Sequence, residues 1–268
     1  MIKSLCLRVV AAVLLSTTLT VSASADDWSL FGSHRERGSG DITTEVRDAR
    51  DFERIRLECS ADLIVSIDSQ YRVTVITDDN LQDRVITDVI GRKTLVIDTD
   101  GNFSSRRGIQ VEISTPHLVQ LEIDGSGSIL IDKLKEESFE IMLDGSGDVE
   151  FAGEIKRLEI NLDGSGRVSG SDLIAEDVKV ELGGSGDIEL QGKAQYFECT
   201  LSGSGDIDAQ RLEAVSVDAR THGSGDISVY ASQSFDGAVY GSGDIDVHGN
   251  PEDLERSTPG SGEIRRRR

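Results

Sequence analysis

Apolar residues occupy every second position in short runs along the chain, and the runs recur at a nearly fixed interval. The clearest are Val119, Leu121 and Ile123; Phe139, Ile141 and Leu143; Leu158, Ile160 and Leu162; Val178, Val180 and Leu182; and Phe197, Cys199 and Leu201. Period-two alternation predicts strands with one buried face. One residue after each run stands the tripeptide Gly-Ser-Gly, which begins at Gly125, Gly145, Gly164, Gly184, Gly203, Gly223, Gly241 and Gly260, in steps of 20, 19, 20, 19, 20, 18 and 19 residues. The alternation resumes beyond it, as in Ile129 and Ile131, Val149 and Phe151, Ile188 and Leu190, Ile227 and Val229, and Ile245 and Val247. Such glycine density excludes helix, and one phase kept at one period means a single supersecondary unit stacked on itself. The pattern therefore predicts an all-β, right-handed parallel β-helix-like solenoid of 18–20-residue coils, each built as strand, glycine corner, strand, connector. Glycine on both sides of the serine predicts a corner that needs positive φ at one position and close backbone approach between coils.

Outside the regular coils the pattern changes without disappearing. Strand-like alternation continues through Ile55, Leu57 and Cys59; Leu63, Val65 and Ile67; Val73 and Val75; Leu95 to Ile97; and Ile109, Val111 and Ile113, with turns at Gly91 and Asp100-Gly101-Asn102. Residues 46–116 are expected to form longer, less regular β coils or antiparallel hairpins that close the first end, because an open end would expose unpaired strands. Toward the other end the inward triads shrink to Val217, Ala219, Thr221 and Phe235, Gly237, Val239, so the core is expected to narrow. Residues 38–268 read as one domain, opened by Gly-Ser-Gly-Asp-Ile at 38–42, with regular coils over 117–264 and a flexible lead over 26–37. Residues 1–25 read as a secretory signal peptide: Lys3 and Arg8, an apolar run from Val9 to Val21, and an A-x-A site at Ala23-Ser24-Ala25. The expected location is thus exported, in the periplasm or at the cell surface, with no membrane-spanning segment after cleavage. Cys59 and Cys199 lie within strand alternation and are expected to be two separate buried thiols.

Charge narrows the partners. The formal net charge is -21, and losing Lys3 and Arg8 with the signal peptide would make it -23, which excludes nucleic acid as a partner. Enzyme motifs fail: no Gly-Ser-Gly completes G-x-G-x-x-G or G-x-S-x-G, and His34, His117, His222 and His248 have no metal-ligand spacing. Gly183-Gly184-Ser185-Gly186-Asp187 resembles a calcium-binding nonapeptide, but its Asp comes one place early and the period is wrong. What the repeat does produce is a carboxylate ladder just after the corner: Asp148, Asp187, Asp206, Asp226, Asp244 and Glu263, with Ser128 and Arg167 in the remaining places. Asp124, Asp144 and Asp163 form a second, shorter row before it. Like charges one coil apart, ~4.8 Å, repel by about 0.9 kcal/mol in water, so something must offset them. Three readings stay open: each Asp caps corner N–H groups, the ladder binds calcium weakly through oxygen ligands, or it faces a polymeric ligand. No cofactor other than such weak calcium is expected.

A further set of motifs carries a family likeness. Glu45-Val46-Arg47 leading to Phe52, Ile55 and Leu57, then Thr77-Asp78-Asp79-Asn80-Leu81, Ser114-Thr115-Pro116-His117-Leu118, the Gly-Ser-Gly coils, and Gly249-Asn250-Pro251 before a last Gly-Ser-Gly and a basic tail resemble the auto-transporter adhesin, head GIN domain family of bacterial exported proteins. The resemblance implies a parallel β-helix-like fold, an envelope or surface location and no catalytic residues. The leading expectation is a non-catalytic exported solenoid that presents a repetitive face to a glycan, an envelope component or a protein. The alternatives are a carbohydrate-active β-helix enzyme such as a polysaccharide lyase, for which Arg106-Arg107 is the sole basic pair in a predicted loop, and a purely structural stalk or assembly subunit.

Overall fold

The computed structural model describes residues 35–91 and 93–267; the predicted signal peptide and residues 26–34 of the lead lie outside them. In chain order the first half holds β1 (Glu36–Arg37), β2 (Ile42–Arg47), β3 (Arg54–Leu57), β4 (Asp62–Ile67), β5 (Arg72–Asp78), a 3-10 turn (Asp79–Arg84), β6 (Val85–Ile90), β7 (Thr94–Thr99), β8 (Phe103–Ser104) and β9 (Gln110–Thr115). The regular half follows as β10 (Gln120–Ile123), β11 (Ser128–Leu143), β12 (Asp148–Leu162), β13 (Arg167–Leu182), β14 (Asp187–Leu201), β15 (Ile207–Thr221), β16 (Ile227–Val239), β17 (Ile245–Gly249), β18 (Asp253–Ser257) and β19 (Ile264–Arg266). Among β10 to β19 every pairing is parallel and joins residues about one repeat apart, for example Ile141 with Ile160, Ile160 with Val180, and Val180 with Cys199. This is the stacked β-solenoid that the alternation and the period predict.

The connector is where the chain departs from expectation. β11 to β15 each run 15 or 16 residues without a break, so the stretch between the two strands of a coil is itself extended and bent. It adds an inward side chain that the triads alone do not reveal: Leu134, Ile155, Leu173, Ala194 and Leu212, each 4% exposed or less. In the coil after Gly145 the core therefore receives Val149, Phe151, Ile155, Leu158, Ile160 and Leu162. The unequal coil lengths are also absorbed here. Ile131 pairs with Phe151, but the next pair is Leu134 with Gly153, so the longer coil spends its extra residue at the bend. Lys133 and Asp172 take left-handed backbone conformations at this place in two 20-residue coils, whereas Gly153 and Gly192 occupy it in two 19-residue coils.

Packing between coils tolerates little added volume. The rings of Phe139 and Phe151 meet edge to face with centroids 6.1 Å apart. A Cβ on Gly170 would lie 2.8 Å from Phe151 Cζ and 2.9 Å from both Leu173 Cδ1 and Leu190 Cδ2, so this glycine is the gap that the larger neighbours fill. At the repeated corners the expectation needs correcting. None of the tripeptide glycines from Gly125 to Gly262 has positive φ; what excludes a side chain is the carbonyl of the coil beneath. A Cβ on Gly164 would stand 1.8 Å from Gly145 O, and the flanking Ser165 N–H donates to that same carbonyl at 3.1 Å.

In the first half, spatial order and chain order part company. β3 and β4 form the coil directly beneath β10 and β11, and their corner, Cys59-Ser60-Ala61, sits under Gly125-Ser126-Gly127, with the hydroxyls of Ser60 and Ser126 2.9 Å apart. β7 and β9, later in sequence, form the coil beyond it. Antiparallel strands then close the end: β6 on β7, β5 on β9, and β2 on β5. The expected irregular half is thus both coil and hairpin. Part of the segment read as a flexible lead is ordered, since Glu36–Arg37 pairs in parallel with Phe103–Ser104.

The Thr77 to Leu81 motif fastens this cap. Buried Asp78 accepts the Gly40 N–H at 2.7 Å and the Ser105 hydroxyl, and Asn80 accepts the Ser39 N–H at 2.8 Å and donates to Arg37 O at 3.0 Å. A Cβ on Gly38 would lie 2.2 Å from Asp78 Oδ2, so only glycine lets the loop come this close. At the opposite end the basic tail continues the stack as β19, parallel to β17, and its arginines meet acidic side chains. Arg265 reaches Asp244 at 2.6 Å and Glu263 at 3.1 Å, and Arg267 reaches Asp246 at 2.9 Å.

Candidate functional site

The carboxylate ladder lies in one row, as its spacing requires, and each of its aspartates is bonded to the next coil. Oδ1 of Asp148 accepts Arg167 N–H at 3.1 Å, Asp187 accepts Asp206 N–H at 3.4 Å, and Asp206, Asp226 and Asp244 accept the N–H of Asp226, Asp244 and Glu263, each at 2.8 Å. The acceptor faces the neighbouring coil and not its own corner, which the sequence leaves unspecified. Asp62 is an unexpected earlier member, since its Oδ1 takes Ser128 N–H at 2.9 Å although its corner lacks the glycines. Arg167 interrupts the row and approaches Asp187 at 3.8 Å. Each aspartate of the row therefore satisfies a backbone donor between coils.

Asp124, Asp144 and Asp163 stay exposed on the other side of the corner, and Asp144 is not brought into the row of Asp148. A Cβ on Gly183 would stand 2.1 Å from Asp163 Oδ1, so the last carboxylate of this row leans over a glycine. Farther along the same row His222 and Tyr240 stack, with centroids 4.7 Å apart and planes 7° from parallel. Among the described residues no group of three or more His, Cys, Asp or Glu is arranged to hold a metal ion.

A concavity lies elsewhere, on the outward face of the strands that lead into the corners. A groove of about 570 Å³ crosses five coils there. One row along it is Ser138, Arg157, Asp177, Tyr196 and Ser216, each paired in register with the next, seven residues before successive corner glycines. The row beside it holds Glu159, Lys179, Glu198 and Asp218. Buried Leu158, Val178, Phe197 and Val217 form the wall behind. Tyr196 is 59% exposed, and among the described residues the side chains of Arg157, Asp177 and Tyr196 have no hydrogen-bond or ion-pair partner. Lys179 differs: it pairs with Glu181 at 2.8 Å and Glu159 at 3.7 Å, and the bond to Glu181 raises its pKa. Reading the sequence for its inward triads passes over these positions, although they are the polar places of the same alternation.

The remaining candidates carry little chemistry. Cys59 and Cys199 are free, buried and separate, as expected; burial pushes the Cys59 thiol up to about 12 and raises that of Cys199 as well. Arg106 and Arg107 are exposed in the loop after β8 and do not line the groove.

Comparison with known proteins agrees with this architecture. A family profile described as "Putative auto-transporter adhesin, head GIN domain" matches residues 51–251. A crystal structure of a "putative lipid binding protein" from Parabacteroides distasonis is 31% identical, with TM-score 0.82 over 87% of this chain and 100% of that one. A "putative adhesin" from the same species, 22% identical over 87% and 100% of the two chains, superposes with TM-score 0.82. One from Parabacteroides merdae, 20% identical over 87% and 99%, gives 0.79. A comparison with curated proteins finds no match.

Proposed function

Since the chain belongs to the auto-transporter adhesin, head GIN domain family, we propose that it is a non-catalytic exported binding module that offers a rigid solenoid face to a glycan, an envelope component or a protein. The observation that carries this reading is the groove of about 570 Å³, in which in-register coils set out an exposed aromatic ring and unpartnered polar groups on a fixed backbone. Its acids and bases are spread along two rows that advance one side chain per coil, an arrangement suited to holding an extended ligand. Export rests on the segment before Asp26: mass spectrometry of the secreted protein should find a chain starting near Asp26, and a mature chain retaining Lys3 would overturn it. Among the described residues no helix is long and apolar enough to cross a membrane.

A lipid ligand is the second reading. Ile64 and Leu130 pair on adjacent coils with outward side chains 39% and 48% exposed, and the 31% identical relative is named for lipid binding. Glycan-array and liposome binding of the chain from Asp26 onward separate the two, with reducing-sugar and unsaturated-product assays on any glycan hit. Glycan retention without product is the expected result. Product release would establish the lyase alternative, and failure to bind glycan, lipid or envelope extract would leave the structural-stalk reading.

A further inference from the structure

We propose that the groove centred on Tyr196 is a subsite for an uncharged glycan chain lying along the solenoid axis; the assignment rests on the binding-module reading above. A sugar ring has an apolar C–H face and a rim of hydroxyls that both donate and accept. The row supplies both kinds of complement. Tyr196 presents the exposed ring, and its neighbours one coil on either side are Asp177 and Ser216, with Arg157 next beyond Asp177. Arg157 offers only donors, Asp177 only acceptors and Ser216 both. Arg157 and Asp177 are free to use them, because neither side chain has a partner among the described residues.

Geometry sets the direction of the chain. The row advances one side chain per coil, ~4.8 Å, a step of the order of one sugar ring, so a ligand that follows it runs along the solenoid and meets each coil in turn. The strands beneath are fixed by interstrand hydrogen bonds and a filled core, which lowers the ordering cost of binding. Charge sets the class. Arg157 and Lys179 face Glu159, Asp177, Glu198 and Asp218, and Lys179 is already engaged by Glu181, so the groove repels polyuronates and phosphate-bearing polymers. A basic peptide would meet Arg157 within the same row. An uncharged chain incurs neither penalty.

The test is calorimetric titration of the chain from Asp26 onward with cellohexaose, chitohexaose and maltohexaose as uncharged probes, polygalacturonate as an anionic probe and oligolysine as a basic one. At least one uncharged oligosaccharide should bind. Tyr196→Ala should weaken it by about 3- to 10-fold, Tyr196→Phe should retain most of the affinity, Arg157→Ala should weaken it, and Ile174→Ala, outside the groove, should not change it. Equal melting temperatures for the variants would show that the fold is intact. If an uncharged oligosaccharide binds and Tyr196→Ala binds it as tightly as the wild type, the site assignment fails and the binding-module reading stands. Tyr196-dependent binding of polygalacturonate or oligolysine alone would overturn the ligand class, and no binding of any uncharged probe would overturn the proposal. The array, lipid and envelope measurements decide the broader reading separately.

Discussion

Asp206 carries two opposed effects at one side chain. Its carboxylate repels Asp187 and Asp226 in the neighbouring coils, yet its Oδ1 holds the Asp226 N–H at 2.8 Å. Two substitutions separate the terms. Asp206→Asn keeps an acceptor oxygen and removes the charge, so chemical denaturation should show an unfolding free energy higher by a few tenths to ~1 kcal/mol at low salt, with added salt shrinking the gain. Asp206→Ala leaves the N–H without its partner and should cost about 0.5 to 1.5 kcal/mol. If both variants were stabilised equally, the bond between coils would contribute nothing. Asp78 is a carboxylate used differently. Its pKa is held below the ordinary carboxylate value chiefly by the Ser105 hydroxyl and also by the Gly40 N–H, against the opposing effect of burial. A depressed folded pKa means that its contribution is complete above about pH 4 and is lost as pH falls through the lower folded value. Acid unfolding of the wild type should therefore be steeper in that window than that of Asp78→Asn, which should be less stable at pH 7; parallel acid profiles would remove Asp78 from the account.

At the scale of the coil, corner and strand are constrained by different neighbours. Ile160 is fully buried and Asn161 faces outward, so Ile160→Asp should cost more than about 3 kcal/mol while Asn161→Asp stays within about 0.5 kcal/mol. The corner glycines answer to a carbonyl. Gly164→Ala would drive a methyl to 1.8 Å from Gly145 O, and both coils must move apart to relieve it. Gly101→Ala meets nothing within 4 Å and bears only the strain of φ +82, which amounts to about 1 to 2 kcal/mol. Chemical denaturation should place Gly164→Ala well below Gly101→Ala, and the reverse order would show that backbone conformation, not clearance between coils, selects glycine at the corner.

Over the whole molecule, stability should follow position in the stack. β12 to β15 are paired on both sides along most of their length, whereas β2 pairs with β5 on one side and β6 with β7. Stacked repeats open from their ends because an outer coil has one neighbour to lose. Native-state hydrogen exchange should accordingly be slowest over residues 148–221 and faster in β2, β6, β18 and β19. Uniform protection from end to end would mean that the antiparallel cap and the basic tail lock the stack as one cooperative body.

How much of this was legible in the sequence divides along a physical line. The triads and the Gly-Ser-Gly period determined the coil, its parallel register, the inward set typified by Leu158, Ile160 and Leu162, and the alignment of Asp187, Asp206, Asp226 and Asp244, because each follows from a period of two within strands and one of about nineteen between them. The motifs around Thr77 to Leu81 and Ser114 to Leu118 carried the family. What only the tertiary structure decided are relations between residues with no fixed spacing: Cys59-Ser60-Ala61 as a corner in spite of its lost glycines, β7 and β9 lying outside β3 and β4 against chain order, Asp78 clasping Gly40, and the bend that places Leu134 and Ile155 inside. The Tyr196 groove belongs with them. Alternation marks Arg157, Asp177 and Tyr196 as outward, but whether outward side chains pair off or stand free beside a concavity depends on how neighbouring coils are placed in three dimensions.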